Sequence, residues 1–184
     1  MNDPDDRIDA VIRASAADGA SVDALWSAAY DELRGLARAR LRRSGRRTLL
    51  DTTVLVNETY LKLAERRRLP VAHRGAFFAY CARTMRSVIV DLARDAQARW
   101  HEGEQQKVTL ATDQGEADDE DPLRVDEALA ALCGVEPRLA RVVEMRYFGG
   151  FSENDIARAL GLTERTVRRD WTRARVLLRS MLVS

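Results

Sequence analysis

Three groups of residues have the types and spacing to do chemistry on a partner. The first lies in "TERTVRRDWTRAR", where Thr163, Glu164, Arg165, Thr166, Arg168, Arg169, Arg173 and Arg175 crowd into a few helical turns. Guanidinium groups at that density suit a polyanion, met either at base edges or at phosphates. The second is Thr52 and Thr53, two hydroxyls directly behind Asp51. Both are weak helix formers at an expected helix start, and neither is needed for the cap if Asp51 supplies it. The third is His73, Arg74 and Tyr80, at and after a loop-to-helix junction. These suit a single nucleic-acid strand, and they equally suit a polar loop and a packed ring.

The elements that must hold the first group are legible. Ser152 and Asp155 have the spacing of a capping box, with Asp in the usual Glu position. Ile156, Ala157 and Leu160 form the apolar face of a short helix, Gly161 makes a tight turn, and Leu162 plugs the angle that follows. Thr163 caps a second helix with Val167, Trp171, Ala174 and Leu178 on its inner side. This is a helix-turn-helix pattern. Glu164, Arg165, Arg168 and Arg169 stand at the N-terminal end of the second helix, where such helices meet base edges. Arg173 and Arg175 lie further along and suit phosphates. An ordinary helical hairpin with a solvated basic face shares these charges, but cap, glycine turn, Val/Trp core and clustered arginines together favour DNA.

Stepping toward the N-terminus, the chain is rich in Ala, Leu and Arg and lacks strand-like alternation, so an all-α fold is expected. Val22, Leu25, Trp26, Ala29, Leu33, Leu36 and Ala37 form one face of a helix from about Val22 to Leu41, with arginines on the other. Gly45 breaks it. A second helix is expected from about Thr52 to Arg67, capped by Asp51, with Val54, Leu55, Leu61 and Ala64 recurring at helical spacing. "RRLPVAHRG" reads as a loop. A third helix, about Ala76 to Arg99, carries Phe77, Phe78, Cys81, Met85, Val88, Ile89 and Leu92 inward. From His101 to Pro122 periodicity disappears, and "DQGEADDEDP" has a flexible linker's composition. Two further amphipathic helices, "LRVDEALAALCGV" and "EPRLARVVEMRYFGG", precede the helix-turn-helix. The expected organisation is a helical domain over 1–100, an acidic linker over 101–122 and a second helical domain over 123–184.

Composition excludes several classes. The net charge of +1 hides two arginine-rich segments, Arg34–Arg47 and Arg138–Arg179, separated by an acidic one. That segregation suits two surfaces for a polyanion. Cys81 and Cys133 sit within apolar helical patterns and read as buried thiols, while His73 and His101 have no ligand-like spacing, so neither metal nor cofactor is expected. No paired carboxylates, nucleophile motif or phosphate-binding glycine loop argues for an enzyme. No apolar run reaches membrane-spanning length and the N-terminus lacks a signal peptide's order, so a cytoplasmic protein is expected.

From about Asp23 onward, the chain resembles an extracytoplasmic-function (ECF) sigma factor of bacterial RNA polymerase. The specific part is "DELRGLARARLRR…LDTTVLVNETYLKLAE…FFAYCARTMRSVIVDLARD", followed by the acidic linker and "GGFSENDIARALGLTERTVRRDWTRARVLLR". The resemblance implies a first domain that docks on the clamp helices of core RNA polymerase, melts the minus-ten element and captures flipped bases, with the loop from about Arg66 to Arg74 at the capture point. It implies a second domain that binds the duplex minus-thirty-five element and the polymerase flap. One chain with single-strand and duplex surfaces and no catalytic group suits a factor that lends DNA recognition to another enzyme. The reading from a different class is a helix-turn-helix regulator that binds DNA without polymerase.

The resemblance is broken at one place. Family members usually begin the second helix with Asp-Ala-Glu-Asp, whose acids pair with clamp arginines. Here "DTTV" occupies that run: Asp51 is retained, Thr53 stands where Glu is usual and Val54 where Asp is usual. Asp51, Thr52, Thr53, Asn57 and Glu58 are therefore the clamp-docking residues the resemblance assigns. The departure resembles a subgroup linked to serine/threonine protein kinases. Thr53, or Thr52 beside it, is the candidate phosphoacceptor, since a phosphate adds about −1.5 to −2 charges at neutral pH.

Overall fold

The computed structural model describes residues 4–15, 19–43, 51–101 and 121–183. The described part is all-α apart from one two-residue strand pair. In chain order the elements are α1 (Pro4–Arg13), β1 (Ala20–Ser21), α2 (Val22–Arg43), α3 (Thr52–Ala64), β2 (Arg68–Leu69), α4 (Arg74–His101), α5 (Pro122–Val135), α6 (Pro137–Val143), α7 (Glu153–Leu160) and α8 (Glu164–Val183). The expected linker lies almost wholly outside the described residues.

The apolar face expected for α2 is the buried one: Val22, Leu25, Trp26, Ala29, Leu33, Leu36 and Ala37 all point inward. Arg34 and Arg38 take the exposed side, but Arg40 does not. It is buried, with its guanidinium 4.8 Å from the centre of the Tyr147 ring. α4 buries Phe77, Phe78, Cys81, Met85, Val88 and Ile89 as expected, and burial in this apolar layer pushes the Cys81 thiol pKa up.

Other expectations are corrected. α3 stops at Ala64 rather than Arg67, because Arg66 and Arg67 turn the chain into β2. Its buried face is Leu55, Val56, Thr59 and Leu63, and Val54 and Leu61 are exposed. Cys133 is exposed: Val125, Ala128, Leu129 and Leu132 already fill the inner face of α5, and the next residue faces out. α1 was not expected, although Ile8, Val11 and Ile12 have helical spacing; Ile8 is buried and the other two pack on the core.

α6 widens at its end into a π-helical turn, Glu144–Phe148, closed by the Gly149 N–H donating to the Glu144 carbonyl at 3.0 Å. The extra residue turns both Tyr147 and Phe148 inward. They meet the first half of the chain there. Phe78 of α4 stands edge-on to Phe151 at 5.7 Å between centroids, and Arg86 of α4 bonds Asp126 at 2.6 Å and Glu144 at 2.7 Å. Burial alone would lower the Arg86 pKa, but the two carboxylates outweigh it and hold the guanidinium above its usual value. Gly75 makes the approach of α7 possible, since a Cβ there would overlap the backbone of Ala159. A single apolar cluster therefore runs through both halves.

Candidate nucleic-acid and docking surfaces

α8 is placed by a chain of local devices. The Ser152 hydroxyl accepts the Asp155 N–H at 3.1 Å and the Asp155 carboxylate accepts the Ser152 N–H at 3.0 Å, the reciprocal box that starts α7. Gly161 ends α7 in the left-handed region (φ 66°) and the Leu162 N–H returns to the Ala157 carbonyl at 2.9 Å. Thr163 caps α8 by accepting the Thr166 N–H at 3.2 Å. Val167, Trp171, Ala174 and Leu178 are buried, which fixes the opposite face outward.

That outward face carries Thr163, Glu164, Arg165, Arg168, Arg169 and Arg173, all exposed, with Thr166 and Arg175 half-buried. The arginines are held by acids that sequence spacing did not reveal. Arg168 pairs with Glu153 at 2.9 Å, Arg173 with Glu136 at 2.5 Å, and Arg169 lies 3.8 Å from Asp170. The Glu153 hydrogen bond, then its charge, raises the Arg168 pKa. Glu153 also holds Arg146 at 3.2 Å, which lies over the Trp171 ring. Asp170 is buried and bonds Arg138 at 2.8 Å. The α8 arginines are 60–73% exposed in these pairs, so phosphates can replace the acids at little cost.

The three loop candidates are dispersed. The His73 Nδ1 accepts the Ala76 N–H at 3.2 Å and so caps α4. Arg74 turns inward to an ion pair with Glu32, with its guanidinium 4.6 Å from the centre of the Phe78 ring. Tyr80 lines an open groove of about 490 Å³ with Lys62, Glu65, Arg66, Arg83, Thr84 and Ser87. Arg66 lies over the Tyr80 ring at 5.8 Å. Arg66 opens the expected capture loop, whereas Lys62 and Arg83 are cations that the sequence did not single out. They converge only because α3 and α4 lie side by side.

At the start of α3, Asp51 is the cap expected, accepting the Thr53 N–H at 3.4 Å. Thr53 is exposed and Thr52 half-buried, and the first turn contains no acidic residue. Val54, Asn57, Glu58 and Leu61 follow on one exposed face, at positions i, i+3, i+4 and i+7. Val54 is 43% and Leu61 56% exposed, an uncovered apolar pair flanking two polar residues.

Among the described residues no group of His, Cys, Asp and Glu could hold a metal ion, and no helix is long and apolar enough to cross a membrane. No curated protein and no solved structure matches the chain. A family model described as ECF sigma factor matches residues 9–184, from within α1 to the last residue. With that match over nearly its whole length, the chain belongs to the ECF sigma factor family.

Proposed function

We propose that this sigma factor of transcription initiation is inactive until a serine/threonine protein kinase phosphorylates Thr53, with Thr52 as the alternative acceptor. Membership of the family gives core RNA polymerase and promoter DNA as its partners. The carrying observation is the α3 N-terminus: capped, exposed at Thr53 and without an acid in its first turn. A phosphate there supplies charge beside Val54, Asn57, Glu58 and Leu61, the face that would meet the polymerase clamp. The protein works in the cytoplasm, where polymerase and kinase both meet it.

In this reading the groove around Tyr80, Arg66 and Arg83 receives the melted minus-ten strand, through ring stacking and phosphate contacts. α7 and α8 act as a helix-turn-helix on the duplex minus-thirty-five element, while the same domain meets the flap. The two elements are about 25 base pairs, or about 85 Å, apart on a duplex. α4 packs directly on α7 here, so a promoter-bound form requires the two halves to part and the linker to span them.

The duplex surface is tested by changing Arg168 and Arg169 together to Ala. Promoter affinity should fall about ten- to hundredfold if one of them makes a good base contact. A loss equal on promoter and random duplex would assign both to phosphates. Unchanged affinity and unchanged transcription would remove α8 from the interface.

A further inference from the structure

The loop after α3 is fastened at both ends by residues of α1, β1 and the first residue of α2. At its start, β1 pairs antiparallel with β2, Ala20 opposite Leu69 and Ser21 opposite Arg68. The Val22 N–H donates to the Arg67 carbonyl at 2.9 Å, and the Arg68 guanidinium donates to the Gly19 carbonyl at 2.9 Å. Gly19 has φ +100°, and a Cβ there would lie 2.6 Å from the Leu69 carbonyl oxygen. At the loop's far end, Asp9 of α1 accepts the Arg74 N–H at 2.9 Å, at the first residue of α4. Ile8, Ala20 and Leu69 are fully buried beneath this arrangement.

The fastening has a conformational consequence. Arg67 is the one non-glycine among the described residues with positive φ, at 55°. Such a backbone persists for an arginine only where its surroundings over-determine it, and strain of this kind concentrates at ligand clamps. Its carbonyl is the one held by Val22 and its side chain is exposed. The turn puts Arg67 next to Arg66, which lines the Tyr80 groove. Of the loop's other cations, Arg68 is held by the Gly19 carbonyl and Arg74 by Glu32.

We propose that residues 8–15 and 19–22 are a brace that sets the strand-capture loop, with Asp9 and Gly19 as positioning residues and Arg67 as the loop cation presented to the minus-ten strand. This rests on the sigma reading of the Tyr80 groove. An unbraced loop would keep the same side chains but present them in many conformations, and ordering them would weaken capture. Asp9 bonds the first residue of α4 and Gly19 bonds β2, so polymerase docking and duplex reading are left to other residues.

The test uses the full chain in its polymerase-binding form with core RNA polymerase, and two templates: a fully paired promoter and one pre-melted across the minus-ten element. Opening is read by 2-aminopurine fluorescence in the non-template strand. Asp9→Ala should slow opening of the paired promoter about fivefold, the loss of one helix-start acceptor. Asp9→Asn, which keeps an acceptor oxygen, should recover most of it. Gly19→Ala and Arg67→Ala should slow it about tenfold. Pre-melting should restore Asp9→Ala and Gly19→Ala to near wild-type transcription, because the step that needs a set loop is bypassed. A variant merely short of folded protein would fail on both templates. If Asp9→Ala and Arg67→Ala, folded by circular dichroism, open the paired promoter as wild type does while Tyr80→Ala does not, the brace is wrong and the groove reading stands. If Tyr80→Ala also opens normally, the groove reading itself fails and the brace goes with it.

Discussion

Phosphorylation of Thr53 is expected to raise affinity for core RNA polymerase about ten- to hundredfold, since one charge-assisted hydrogen bond contributes about 1.5–3 kcal/mol. The geometry of α3 gives the reason. Asp51 satisfies one N–H of the first turn, the side chain of Thr53 is exposed, and the helix start carries no acid beyond that cap. A phosphate on Thr53 would be stabilised by the helix dipole while its outer oxygens remain free for arginines on a partner. Thr53→Ala should bind as the untreated chain does and ignore the kinase. Thr53→Glu should recover part of the gain, having one charge where phosphate has nearly two. The same substitutions at Thr52, which is half-buried, should change affinity less. Competition binding to core enzyme measures each. Equal affinity of treated and untreated wild type would remove the switch and leave both threonines as structural residues.

The second large effect is expected at Arg86. Its side chain is 17% exposed and reaches from α4 in the first half to Asp126 (20%) and Glu144 (15%), both in the second half. Arg86→Ala would leave two poorly solvated carboxylates facing each other, at a cost of about 2–4 kcal/mol to the closed arrangement. The radius of gyration measured by small-angle scattering should rise, with helix content kept. Gly75→Val, which forces α4 from the Ala159 backbone, should do the same by sterics alone. Both should tighten promoter binding by the polymerase-bound factor if closure competes with it. A compact, folded Arg86→Ala chain would show that the aromatic contacts at Phe78, Tyr147 and Phe151 suffice without the ion bridge.

What the sequence made legible were the features written in local spacing. The α2 face, the capping box at Ser152, the Gly161 turn and the Val167–Trp171–Ala174–Leu178 core of α8 each follow from periods and caps within one element. What it hid was tertiary. Nothing within four positions of Arg74 tells that Glu32 will claim it, and nothing near Arg168 points to Glu153, fifteen residues earlier across a turn. Arg40 looked like a solvated arginine until Tyr147 covered it. The β1–β2 pair is two residues long, too short for any alternation to register. The α3 face misled for another reason. Val54 and Leu61 have core-like chemistry but face outward, and hydropathy alone cannot separate a buried apolar residue from an exposed one.

The most direct test of the account is promoter-directed transcription in a purified system of core RNA polymerase, this chain and a promoter from its own genome, with and without kinase treatment. The account predicts specific transcripts only when the chain is present and phosphorylated on Thr53, and none above the untreated level from kinase-treated Thr53→Ala. A chain that shifts duplex promoter DNA alone, fails to bind core enzyme in either phosphorylation state and yields no specific transcript would contradict it.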